Sequence, residues 1–148
     1  MKLLLPGDPK DNFFLVTCEH GGNRVPARYR PWFAGWEEIL KSHRGHDPGA
    51  LALARDLAAV LGAPLVAATV SRLVVELNRS LGHRRLLSDA LKDAPREVRD
   101  EIVARHYLPY RRRVEELVAD AIGREQRVIH ISSHSFTPVL GGKVRNAD

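Results

Sequence analysis

The sequence predicts an α/β domain of three layers, α/β/α, built on a mostly parallel mixed sheet. Short apolar runs rich in β-favouring residues, Phe13 to Thr17, Leu65 to Val70 and Arg127 to Ser132, alternate with segments of helical period, the pattern of parallel strands covered by helices. Polar clusters follow the strand candidates, Glu19-His20-Gly21-Gly22-Asn23, Glu76-Asn78-Arg79 and Ser133-His134-Ser135, and ligands gather at the carboxyl ends of such strands. A chain of 148 residues, 44% hydrophobic and 28% charged, suits one globular domain over residues 1–148.

In chain order, Leu3 to Leu5 is cut short by Pro6 and Gly7. A membrane span needs roughly 20 apolar residues, so neither a membrane helix nor a secretory signal is expected there. Phe13 to Thr17 (FFLVT) is the first strand, opening into the glycine-rich polar loop Cys18 to Pro26 (CEHGGNRVP). Pro48 to Leu61 repeats apolar residues at helical spacing, with Asp47 as a natural N-cap and Gly62 and Pro64 as the stop. Leu65 to Val70 is the second strand candidate; a short run from Leu73 to Leu77 then ends in Asn78-Arg79. Gly82 to Lys92 reads as loop. Ala94-Pro95 opens a long helical pattern through Val98, Ile102, Val114, Leu117 and Ala121, which Pro109 must kink or divide. Arg127 to Ser132 is the third strand.

The net charge of +5, from 23 Lys and Arg against 18 Asp and Glu, favours anionic partners. At 6% aromatic content the chain lacks the interleaved aromatics of a nucleic-acid footprint. A small anionic substrate accounts for the excess, and Arg111-Arg112-Arg113, beside Glu115 and Glu116, reads as a solvated helix face. The single cysteine, Cys18, excludes an internal disulfide and a cysteine-based zinc cluster, and suits a reducing, cytoplasmic location.

Two imidazoles, one carboxylate and a water form a common catalytic zinc set. His20 and His134 follow different strands and are placed to meet across the sheet edge; Glu19, Asp47 and Glu76 are the carboxylate candidates. Structural hydrogen bonding is an equally frequent fate for either histidine, and His43 and His46 suit surface or capping roles. Arg72, Asn78 and Arg79 suit gripping a carboxylate, against the commoner fate of an arginine paired on the surface. Cys18 beside His20 has the elements of a nucleophile, although a cysteine ending an apolar strand is more often a small buried hydrophobe.

The segments VTCEHGGNRVP, HDPGALALARDLA, VSRLVVELNRS, YLPYRRRV and VIHISSHSFTPVLGGKVRNAD, in this order, resemble the N-formylglutamate amidohydrolase family. The resemblance implies the phosphorylase/hydrolase-like fold of zinc carboxypeptidases and aspartoacylases, one zinc ion per chain, and cleavage of N-formyl-L-glutamate to formate and L-glutamate in histidine breakdown. It implies His20 and His134 as metal ligands. The carboxypeptidase-like pattern has a Glu three residues after the first histidine, where this chain has Asn23, so Asp47 is the preferred third ligand and Glu19 the next. Arg72, Asn78 and Arg79, joined by Asn23 and Ser135, are the implied substrate-binding set. Members of the family continue beyond HSFTP into a part expected to carry the general base, whereas this chain stops at Asp148; Glu19 and Glu76 are the catalytic carboxylates left to it. An incomplete sheet exposes edges that favour a homodimer. The alternatives are a metal-free Cys18 amidohydrolase and a non-catalytic basic module.

Overall fold

The computed structural model describes residues 11–145; the expectations for Leu3 to Gly7 and for the last three residues lie outside them. β1 (Asn12–Cys18) is the centre of a three-stranded sheet in the order β2-β1-β3, with β2 at Leu65–Ala67 and β3 at Arg127–Ser132. Both pairings are parallel, with Val16 opposite Leu65 on one side and Ile131 on the other. Leu15 and Val16 are both fully buried, so each face of β1 is covered, and its continuous apolar run reflects this.

Two short elements precede the first long helix, a 3₁₀ segment at Ala27–Phe33 and α1 at Glu37–Lys41. α2 (Ala50–Leu61) packs its small-residue stripe, Ala50, Ala54 and Ala58, against Val16 and Cys18. These positions recur every fourth residue and lie on one helix face. α3 (Arg96–Ile102) runs through one π turn, Val103–Tyr107, into α4 (Leu108–Gly123). Pro109 therefore does not break the helix. It withholds an N–H from the turn before it, and that turn takes the wider spacing of a π bulge. α4 lies against β2 and β3, and Tyr110 reaches Thr17. Thr17 alternates with the α2-facing Val16 and Cys18, so α4 covers the second face and the three layers are complete. A separate antiparallel hairpin comes last, β4 (Val139–Leu140) with β5 (Lys143–Val144).

The second strand is shorter than Leu65 to Val70. After Ala67 the chain leaves the regular ladder to receive the loop that succeeds β1: Gly21 N–H donates to Ala68 O at 3.0 Å and Arg24 N–H to Thr69 O at 3.0 Å. The apolar run from Leu73 to Leu77 forms turns, not a strand. Its Val74, Val75 and Leu77 pack with Leu91, Ile102 and Tyr107 in a second core beneath the 71–94 segment. That segment is irregular except for a 3₁₀ turn at Asp89–Leu91.

Candidate metal centre

Parallel neighbours β1 and β3 end side by side, and a histidine stands two residues beyond each. The His20 and His134 ring centroids are 5.0 Å apart. Asp47 joins them from the turn before α2, its N–H donating to His20 O at 2.9 Å. Its Oδ2 lies 2.9 Å from His134 Nδ1 and 3.4 Å from His20 Nδ1. One donor atom from each of the three residues falls within 4.8 Å of the others. His20 and Asp47 are 2% and 4% exposed.

Asp47 is not the helix cap that its place before Pro48 predicts. α2 begins at Ala50 with Gly49 as N-cap at φ 81, a left-handed conformation that favours glycine. The chain thus turns once more before the helix, and the Asp47 carboxylate is left to the histidines. Gly45 permits the preceding turn, because a Cβ there would sit 2.1 Å from Leu40 O.

Both histidines are backed by a buried carboxylate. His20 Nε2 faces Glu76 Oε1; Glu76 also accepts Arg72 Nε at 2.9 Å, Arg72 Nη2 at 2.7 Å and Asn78 N–H at 3.0 Å. His134 Nε2 lies 3.2 Å from Glu19 Oε2 and 2.9 Å from Ser132 Oγ. Glu19 in turn accepts the Ser132 hydroxyl at 2.6 Å and the Tyr110 hydroxyl at 2.9 Å. The nitrogens facing Asp47 are Nδ1 in both rings and those facing Glu76 and Glu19 are Nε2, the arrangement by which outer carboxylates orient histidine ligands.

Electrostatics reflect this wiring. Burial pushes the Asp47 carboxyl up, but the hydrogen bonds of His20 and His134 outweigh it and hold the group at about 2. Burial likewise opposes ionisation of Glu76, which His20 and then Arg72 bring to about 2. For His20, burial disfavours the charged ring, yet Asp47 and Glu76 raise its pKa above the ordinary 6.5; a carboxylate at each nitrogen favours the imidazolium. Depressed carboxylates stabilise the fold above their unfolded values, 3.8 for Asp47 and 4.5 for Glu76, and lose that contribution as pH falls towards 2. His20 contributes below 6.5 and loses its contribution as pH rises through its raised value. The melting temperature of chelator-treated protein is therefore expected to be highest between about pH 4.5 and 6.5 and to fall on both sides. A melting temperature climbing steadily from about pH 6.5 to 9 would contradict the doubly donating His20.

Of the residues singled out by sequence, His20, Asp47 and His134 come together, with Glu19 and Glu76 behind them. Arg72 is committed to Glu76 and lies 3.6 Å from Asp47, while Arg79 lines the adjoining cavity with Glu76. Asn23 and Asn78 are exposed. Ser135 braces Asp47, its N–H donating to Oδ2 at 3.3 Å and its hydroxyl to Pro48 O at 2.7 Å. Cys18 is fully buried, and burial, reinforced by the Glu19 charge, pushes its thiol up to about 11, which leaves almost no thiolate near neutral pH. Arg111, Arg112 and Arg113 are exposed, as a solvated face requires. Nothing in the sequence reading marks Tyr110, Tyr107 or Ser132 as a site residue. Tyr107 donates to Arg79 O at 2.8 Å, and the Tyr-Leu-Pro-Tyr spacing, three residues apart on a helix, was the available signal.

Two imidazoles with one carboxylate form the donor set that zinc takes at catalytic sites with an open position. The residues present fit such an ion.

A family model described as N-formylglutamate amidohydrolase matches residues 13–147. Among solved structures, the crystal structure of a gene product from Agrobacterium tumefaciens is similar, with a TM-score of 0.80 and 31% sequence identity over 89% of this chain. The match spans 55% of the length of that protein. No curated protein matches the chain.

Proposed function

Because the chain belongs to the N-formylglutamate amidohydrolase family, we propose that it is a zinc-dependent hydrolase releasing formate and L-glutamate from N-formyl-L-glutamate or a similar N-acylated acidic amino acid. The observation that carries this reading is the convergence of His20, Asp47 and His134, each histidine backed by its own buried carboxylate.

His20, Asp47 and His134 would hold the ion. When bound, zinc supplies Lewis-acid polarisation of the formyl carbonyl and activation of water at neutral pH. Glu76 holds a proton on His20 Nε2 and Glu19 holds one on His134 Nε2, which leaves the Nδ1 lone pairs for the ion. We assign these two carboxylates orienting roles, because Glu76 already accepts from four donors and is held at about 2, a poor match to a base working near neutrality. Tyr110 and Ser132 keep Glu19 in place. Arg79 stands beside Glu76 in the adjoining cavity, where a guanidinium can hold a substrate carboxylate and orient the scissile amide.

Metal analysis of freshly purified protein, paired with a formate assay on N-formyl-L-glutamate, tests the proposal. One zinc per chain and zinc-dependent formate release are expected. Protein that lacks zinc, is not stabilised by added zinc and releases no formate would overturn it.

A further inference from the structure

The cavity that adjoins Glu76 carries more positive charge than the folded chain uses. It measures about 420 Å³ and is lined by five arginines, Arg44, Arg72, Arg79, Arg84 and Arg85, against the carboxylates of Glu76 and Asp89. Among the described residues only Arg72 is committed, to Glu76 at 2.7 Å and towards Asp47 at 3.6 Å. The ion pairs found among the described residues use none of the other four. The Ser88 hydroxyl, on the same lining, is buried without a hydrogen-bond partner among the described residues.

Local structure holds the turn that carries Arg84 and Arg85 in place, while the side chains of Arg44, Arg79, Arg84 and Arg85 are exposed. Glu76 N–H donates to Leu86 O at 2.8 Å, and Leu86 N–H to His83 O at 2.9 Å. Arg85 N–H donates to His83 Nδ1 at 3.0 Å. The turn carrying Arg84 and Arg85 is thus tied to the residue that backs His20. Trp36, Leu73 and Leu87 also line the cavity; apolar walls reduce screening and focus the positive field. Guanidinia with no ion pair among the described residues are available to an anion, and their planar forks match carboxylates.

We propose that Arg84, Arg85 and Arg44, together with Arg79, form an anion-binding wall that selects substrates by an acidic side chain. The class is an N-acyl amino acid bearing two carboxylates. With Arg72 committed to Glu76, Arg79 alone cannot pair with both carboxylates, and the remaining guanidinia come from two segments that sequence motifs did not single out. The assignment rests on the hydrolase reading for the reaction but not for binding.

The test is calorimetric titration of the full chain with glutarate, a dicarboxylate with no scissile bond. Binding at one site per chain, weakening with salt, is expected. The double substitution R84A/R85A is expected to raise the Kd at least about tenfold, and Arg44→Ala, from a separate segment, to raise it less. R84K/R85K keeps the charge without the fork and should recover part of the affinity. R112A/R113A removes two exposed arginines of α4 and should leave the Kd unchanged. The inference is overturned if the intact chain does not bind glutarate, if R84A/R85A binds it as well as the intact chain, or if both double alanine variants lose affinity equally. Titration needs no turnover, so a chain that binds glutarate through Arg84 and Arg85 but lacks zinc, is not stabilised by added zinc and releases no formate would sink the hydrolase reading and leave the anion wall standing.

Discussion

Replacing His134 by alanine is expected to abolish stoichiometric zinc binding and to lower formate release by at least about a thousandfold. A bound divalent cation contributes several kcal/mol of transition-state stabilisation, and each 1.36 kcal/mol is about tenfold in rate. The variant leaves two members of the cluster, His20 and Asp47, short of the three protein ligands of a catalytic zinc site. His134 lies beyond the end of β3 and is 30% exposed, so its loss leaves the sheet ladder intact. His130→Ala is the matched control. That residue lies on β3 itself and bonds Thr17 at 2.8 Å, outside the cluster. Metal content by atomic absorption and formate by coupled assay would be read for both variants. A His134→Ala protein that keeps its zinc and its turnover would end the metal-centre reading.

The largest stability effect is expected at Glu76. Its carboxylate accepts from His20, twice from Arg72 and from the Asn78 N–H. Glu76→Ala removes all four acceptor contacts at once and leaves the buried His20 ring and the half-buried Arg72 guanidinium with Asp47 as their remaining carboxylate. Breaking a buried pair on one side costs about 3–5 kcal/mol, and the unfolding free energy of chelator-treated protein, measured in urea at about pH 6, between the carboxylate and imidazole transitions, is expected to fall by that amount. Glu76→Gln keeps the shape and one acceptor oxygen and should lose less. In the metal-loaded protein the same alanine variant should weaken zinc affinity about 10- to 100-fold, the usual cost of losing an outer-shell partner. A stability loss under about 1 kcal/mol would show that water, not Glu76, satisfies His20 and Arg72.

Much of the site was legible because strand ends are legible. FFLVT and the VIHIS run that ends at Ser132 are β-rich and apolar, and parallel strands deliver the residues beyond their carboxyl ends to one edge; His20 and His134 are therefore placed to meet there. The partners of charged residues were harder to read. Arg72 and Glu76 are four residues apart in a segment with no periodicity to reveal that they pair. Asp47 before Pro48 satisfies the local rule for a helix cap, and the left-handed Gly49 that frees its carboxylate is visible only in the backbone. Arg84 and Arg85 sit in a stretch that reads as polar loop, and their convergence with Arg44 depends on the fold of residues 71–94.

The amino-acid sequence by itself determined the layered α/β class, the strands and helices that dominate it, the family, and the two histidines of the candidate centre. Local composition, period and motif order suffice for all of these. Tertiary structure alone decided that Glu19 and Glu76 stand behind the histidines, that Arg72 is committed to Glu76, and that four arginines with no ion pair among the described residues line a cavity with the same carboxylate. Burial and pairing set the charge state and role of each group, and both depend on residues that only the folded chain brings together, as it does Asp47 and His20, which lie 27 positions apart.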